Sequence, residues 1–159
     1  MMRVKPILAA IAATFATLGP VGAWAANEAA GAAAAYAPTF VPTKANRVIL
    51  LDVQPAGKRL VAVGERGVIM ISDDGGNSWK GQRAPTTRTL TAVAFNDEKN
   101  GVAVGHGGTI VRTTDGGTTW QAVKVPETGP DSMLGAVALG GGRILAYGSF
   151  GLFMESTDN

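Results

Sequence analysis

The chain has 159 residues, no cysteine and one histidine, with 14 Lys and Arg against 12 Asp and Glu. The lack of Cys excludes disulfide staples and thiolate metal sites, so stability has to come from packing or association. Arg3 and Lys5 account for the formal charge of +2: without residues 1–25 the 14 basic residues become 12 against 12 acidic ones. A neutral chain has no global field to steer it to nucleic acid, which disfavours such a partner.

Residues 1–25 have the three parts of a secretory signal. Arg3 and Lys5 give a charged start, Pro6 to Leu18 an apolar core, and Ala23-Trp24-Ala25 a small-residue cleavage site. The apolar run falls short of the roughly 20 residues that a bilayer span needs. An uncleaved anchor is the alternative. After cleavage no span is expected, and the expected location is the periplasm, or the thylakoid lumen in a photosynthetic source. Residues 26–45 are Ala-rich, and Gly31, Pro38 and Pro42 interrupt any helix longer than a turn or two. They read as a linker, in which Tyr36 and Phe40 are either spacer residues or packing points on the first folded unit.

From residue 46 onward the chain is a series of short runs rich in β-branched residues and bounded by Gly, Asp, Asn or Pro, which predicts strands. The first unit offers Arg47–Val53, Leu60–Gly64, Val68–Ser72 and Trp79–Arg83. The second offers Leu90–Phe95, Gly101–Gly105, Thr109–Thr113 and Trp120–Val125. The third offers Leu134–Leu139, Arg143–Gly148 and Leu152–Ser156, and lacks a fourth strand. Each second strand has a small residue at its middle, in Val61-Ala-Val-Gly64, Val102-Ala-Val-Gly105 and Leu145-Ala-Tyr-Gly148. Small residues there allow neighbouring sheets to approach closely.

Between the third and fourth strands the chain reads Ser72-Asp73-Asp74-Gly75-Gly76-Asn77-Ser78-Trp79. Forty-one residues later it reads Thr113-Thr114-Asp115-Gly116-Gly117-Thr118-Thr119-Trp120, and a third start falls at Ser156-Thr157-Asp158. Asp and Ser/Thr oxygens accept hydrogen bonds from backbone N–H groups just ahead of them, and Gly76 and Gly117 permit positive φ. The two Trp residues are large enough to cover their loops and pack on a neighbouring unit. A repeat with a period in the forties signals a propeller or array.

This pattern resembles the Asp-box (BNR) repeat of β-propeller proteins. In the form V-A-V-G-x-x-G-x-I-x-x-[ST]-x-D-G-G-x-[ST]-W it is most similar to the photosystem II stability/assembly-factor family and its non-photosynthetic bacterial relatives. The resemblance implies an all-β fold, a β-propeller fragment of two four-stranded blades plus most of a third, with repeats at about 46–86, 87–128 and 129–159. Four to eight blades make a propeller, so the expectation is a C-terminally truncated sequence. Closure of a ring by self-association is the alternative.

Asp74 and Asp115 have the look of the paired carboxylates of a hydrolase, but they occupy equivalent turns and are expected to be held by their own backbones. By resemblance the Asp boxes lie on the face opposite the usual binding site. The other face is built from the turns Glu65-Arg66-Gly67, His106-Gly107-Gly108 and Ser149-Phe150-Gly151, with Arg83 and Arg88 in the link between units. Arg66, Arg83, Arg88, His106 and Phe150 form the candidate protein-binding face, where guanidinium forks would take a partner's carboxylates. The competing reading makes the arginines solvated loop residues. His106 has no second His or Cys to share a metal, and no Ser/His/Asp set or phosphate loop opening a helix is present. No metal or cofactor is expected.

The resemblance implies an exported, non-enzymatic scaffold that binds a membrane-protein subunit or an envelope complex. The alternative is a sialidase-like, other glycoside hydrolase or carbohydrate-binding propeller with its catalytic residues in missing blades.

Overall fold

The computed structural model describes residues 2–4, 40–41, 47–125 and 128–157. The expected leader core and cleavage site, most of the linker, Glu127 and Asp158 lie outside the described residues. Three antiparallel sheets are present among the described residues. The first contains β3 (Leu50–Ala56), β4 (Arg59–Gly64), β5 (Val68–Ser72) and β6 (Lys80–Arg83), with β2 (Phe40–Val41) as a fifth strand on the outer edge of β6. The second contains β7 (Leu90–Phe95), β8 (Gly101–Gly105), β9 (Thr109–Thr113) and β10 (Gln121–Val123). The third contains β11 (Met133–Gly140), β12 (Arg143–Gly148) and β13 (Phe153–Ser156), and β1 (Met2–Val4) pairs with β13 where a fourth strand would lie.

These are successive blades of a propeller, and the expected strands are present with shifted ends. The first strand runs on through Pro55 to Ala56 because β3 is an edge strand, where a missing N–H is tolerated. The fourth strands begin after Trp79 and Trp120, since each indole N–H turns back to a carbonyl of its own box, Gly76 O at 3.0 Å and Gly117 O at 2.9 Å. Two strands were not expected at all. Phe40–Val41 belongs to the linker and Met2–Val4 to the leader, and each occupies an otherwise open sheet edge, which presents unpaired backbone groups to any extended segment nearby.

Strand periodicity decides which residues join the blades. On β4, Val61 and Val63 face the second blade and pack with Leu90, Val93, Ala103, Val111 and Trp120. The intervening Ala62 faces the other way, onto Val68 and Met70 with Val48, Leu50 and Trp79 beside them. On β8 the alternation continues. Ala103 faces the first blade, while Val102 and Val104 face Met133, Ile144, Ala146 and Met154 of the third. The middle blade is therefore buried on both faces.

Polar clamps reinforce these two seams. Asp52 Oδ2 accepts a hydrogen bond from Val93 N–H at 2.9 Å, and the Thr91 hydroxyl donates to Met133 O at 2.8 Å. Arg59 reaches from the first blade to Gly116 O at 3.1 Å and Thr118 Oγ1 at 2.8 Å, while its Nε pairs with Asp73 at 2.7 Å. The buried Gln82 amide donates to Gly117 O. The last blade exposes its far side, with Val137, Leu139 and Tyr147 each more than two-fifths accessible.

Candidate functional site

The two Asp boxes are superposable in chemistry. The Ser72 hydroxyl donates to Asp74 Oδ1 at 2.7 Å and accepts from Gly76 N–H at 2.8 Å; Thr113 does the same with Asp115 at 2.8 Å and Gly117 at 2.9 Å. Asp74 Oδ1 accepts from Ser78 N–H at 2.9 Å and Asp115 Oδ1 from Thr119 N–H at 2.8 Å, with the Ser78 and Thr119 hydroxyls on the second oxygens. Both glycines of each box are left-handed, with φ of 70° and 94° at Gly75 and Gly76 and 68° and 82° at Gly116 and Gly117. In the third unit Ser156 is buried like its equivalents Ser72 and Thr113.

Each box carboxylate thus spends its acceptor capacity on its own loop, and the two are turn-closing groups rather than an acid–base pair. The Ser78 hydroxyl and amide, with Ser72, hold the Asp74 carboxyl down to about 2. Partial burial pushes Asp115 up, but the Thr119 hydroxyl and amide and the Thr113 hydroxyl outweigh it and leave it below the usual carboxylate range. Asp97, in the β7–β8 loop, is lowered by the side-chain and backbone amides of Asn100 and by Lys99 N–H. A carboxyl lowered on folding stabilises the fold above its unfolded value and loses that contribution as pH falls through the folded one. The urea midpoint is therefore expected to stay level above about pH 5 and to fall between about pH 4 and pH 2. Asp74→Asn with Asp115→Asn should lower the neutral-pH midpoint and flatten that acid limb. An unchanged acid limb in the double variant would remove the boxes as its source.

The Asp boxes and the turns between second and third strands lie at opposite ends of β5 and β9, as expected. All three of these turns share one frame. The N–H groups of Glu65, His106 and Ser149 donate to Ile49 O at 3.0 Å, Thr89 O at 3.0 Å and Ser132 O at 2.9 Å. The glycine before each turn makes this possible. A Cβ would lie 2.0 Å from Ile49 O at Gly64, 2.1 Å from Thr89 O at Gly105 and 2.2 Å from Ser132 O at Gly148. The next position is left-handed in every blade: Arg66 at φ 54°, Gly107 at 61° and Phe150 at 55°. A side chain there costs roughly 1–2 kcal/mol, so the first and third blades hold Arg66 and Phe150 outward against local strain. Phe150 is 94% exposed.

The proposed residues are distributed across these tips rather than gathered into one cluster. Arg83 Nη1 donates to Arg66 O at 2.6 Å, which places Arg83 beneath the first turn as a support. The ladder explains it, because Val68 pairs with Arg83 and brings that side chain to the turn's base. Arg88 lies across the second turn, where a Cβ on Gly107 would come within 1.8 Å of its Nη1. His106 Nδ1 is 3.0 Å from Ser132 Oγ of the following blade. No group of three or more His, Cys, Asp or Glu is placed to hold a metal among the described residues. No helix among them is long and apolar enough to cross a membrane.

The repeated turn frame and the Asp boxes can be compared with known proteins directly. Residues 77–159, just over half of the chain, match the family model described as photosynthesis system II assembly factor YCF48. The chain belongs to that family. Among solved structures, YCF48 bound to D1 peptide matches with a TM-score of 0.63 and 24% identity, covering 76% of this chain and 40% of that one. YCF48 from Cyanidioschyzon merolae matches with a TM-score of 0.62 and 23% identity, over 76% of this chain and 40% of that one. At these identities the likeness shows the fold, a β-propeller, and the present chain spans about two-fifths of the length of those YCF48 chains. None of the curated proteins compared matches it.

Sequence reasoning missed the clamps across the first seam. Arg59 is a single Arg in an ordinary hairpin, and its contacts at Gly116 and Thr118 are 57 and 59 residues away. For the turn frame a signal was available in the repeat: a glycine closes the second strand of each unit, at Gly64, Gly105 and Gly148, and a backbone carbonyl stands where its side chain would be.

Proposed function

We propose that this chain is part of an exported, non-enzymatic propeller that holds a protein partner, a membrane-protein subunit, through the turn face carrying Arg66, Arg88 and Phe150. The observation that carries this reading is the pair of left-handed, outward side chains at equivalent turns, Arg66 and Phe150, on a frame that accepts glycine at the same place in the middle blade. Exposed strain of this kind is retained where a surface is used. Membership of the YCF48 family supports the reading, because one solved relative carries the D1 peptide. Export rests on the leader and its small-residue cleavage site, and the periplasm or thylakoid lumen follows from it.

Guanidinium groups at Arg66 and Arg88 supply charge for partner carboxylates, and Phe150 supplies an apolar contact at the far tip. Arg83 acts here by fixing the Arg66 turn. The test is binding of the labelled D1 peptide by fluorescence anisotropy, with the variant Arg66→Glu, Arg88→Glu, Phe150→Gly. Binding by the wild-type chain, weakened by salt and lost by about tenfold or more in the triple variant, is expected. Equal binding by the variant would exclude this face. Phe150→Gly relieves the left-handed strain and removes no buried contact, so the variant's Tm is expected to hold.

A further inference from the structure

A second surface lies on the rim between the first two blades. In the first blade the outer strand β6 is covered by an extended segment, Phe40 opposite Gln82 and Val41 opposite Gly81. Counting from the box tryptophans, Gln82 and Gly81 correspond to Val123 and Ala122 of β10. Yet β10 is the last strand of its sheet and has no partner on its outer edge among the described residues. Beside that edge is a cleft of about 390 Å³, with Val111 and Ala122 on the blade and Pro85 and Thr86 of the interblade link as the facing wall. It adjoins a second hollow of about 480 Å³ that runs along the link from Arg83 to Thr87. Ala122 is opposite Val111 in the ladder, so both project to the same side, and the small exposed Ala leaves the space above the buried Val open.

Lys124 lines the first hollow, and no acidic residue lines it among the described residues; Arg83, which lines the second, is held by the Arg66 carbonyl.

From this juxtaposition we propose that the open edge of β10 is a strand-addition site for an extended segment of a partner protein. The segment adds antiparallel to β10, sets one small apolar side chain over Ala122, and carries an acidic residue that meets Lys124. Main-chain pairing supplies affinity, and the cleft and Lys124 supply selection. The cleft runs from the blade rim up to Gly107 and Gly108 of the second turn, beside Arg88, so Arg66 and Phe150 of the other two turns are the residues by which the two surfaces can be tested apart.

The probe is an immobilised set of peptides of about eight residues, an ordinary strand length, with alternating Val and Thr cores flanked either by Asp or by Lys. The full chain is expected to retain the Asp-flanked members and to show amide shifts centred on residues 121–125. Ala122→Trp, which fills the cleft on an exposed position, should weaken binding by about tenfold or more. Lys124→Glu should move the preference toward the Lys-flanked set. The variant Arg66→Glu, Phe150→Gly should bind these peptides as the wild type does, which separates a failure here from a failure of the turn face. Retention of neither set, or retention indifferent to both Ala122→Trp and Lys124→Glu, would overturn the proposal.

Discussion

Replacing Trp120 by Ala is expected to cost about 3–5 kcal/mol, a large share of the roughly 5–15 kcal/mol that holds a domain folded. Replacing Trp79 by Ala should cost about 1–2 kcal/mol. The two residues close identical motifs, and both donate their indole N–H to the second glycine's carbonyl. That hydrogen bond is lost in either variant and cancels in the comparison. What differs is the neighbour. Trp120 is only 2% exposed, in the buried cluster between blades with Val61 and Val63 of the first, and the Phe95 ring stands edge-on to it with centroids 6.4 Å apart. Trp79 is half-buried and covers Val48, Leu50 and Met70 of its own blade. Urea unfolding of the full chain, followed by far-ultraviolet circular dichroism, measures both. Similar losses from the two substitutions would mean that the tryptophans serve their loops alone and contribute little to joining blades.

That contrast marks the boundary of what could be read from the residues. The box loops were legible because the hydrogen bonds that close them span four residues or fewer, from Ser72 to Gly76 or Thr113 to Gly117. Strand positions were legible for a related reason. Alternation such as Val61-Ala62-Val63 has to place one set on each face, and both faces are buried wherever a blade follows and precedes. The difference between Trp79 and Trp120 was not legible, since it depends on which blade stands behind each. The same holds for Arg83. Its guanidinium was expected to be available to a partner, but the β5–β6 register commits it to the carbonyl of Arg66. Nor could the edge strands at Met2–Val4 and Phe40–Val41 be anticipated, because two or three residues carry no periodicity and pair only where an edge is open.

Gly105→Ala is the second substitution expected to cost about 3 kcal/mol, and it links the core to the proposed binding face. Gly105 is extended, so the added methyl meets no backbone penalty of its own; the difficulty is space. Its Cβ would lie 2.1 Å from Thr89 O and 2.9 Å from the Leu90 Cα. Thr89 O cannot withdraw freely, because it accepts the His106 amide at 3.0 Å and leads directly into the fully buried Leu90. Overpacking of this type costs about 1–3 kcal/mol, and a displaced hydrogen bond adds about 1 kcal/mol. Gly141→Ala is the control: its φ is 62° and nothing lies near its Cβ, so it carries left-handed strain alone, about 1–2 kcal/mol. Movement of Thr89 also carries Arg88 away from Gly107 and His106 away from Ser132. The variant should therefore bind the D1 peptide more weakly even at temperatures where it stays folded, while the Gly141 variant binds normally. Gly105→Ala with wild-type stability and binding would show that the turn frame is slack, and the ordered display of Arg66, Arg88 and Phe150 on one rigid face would fall with it.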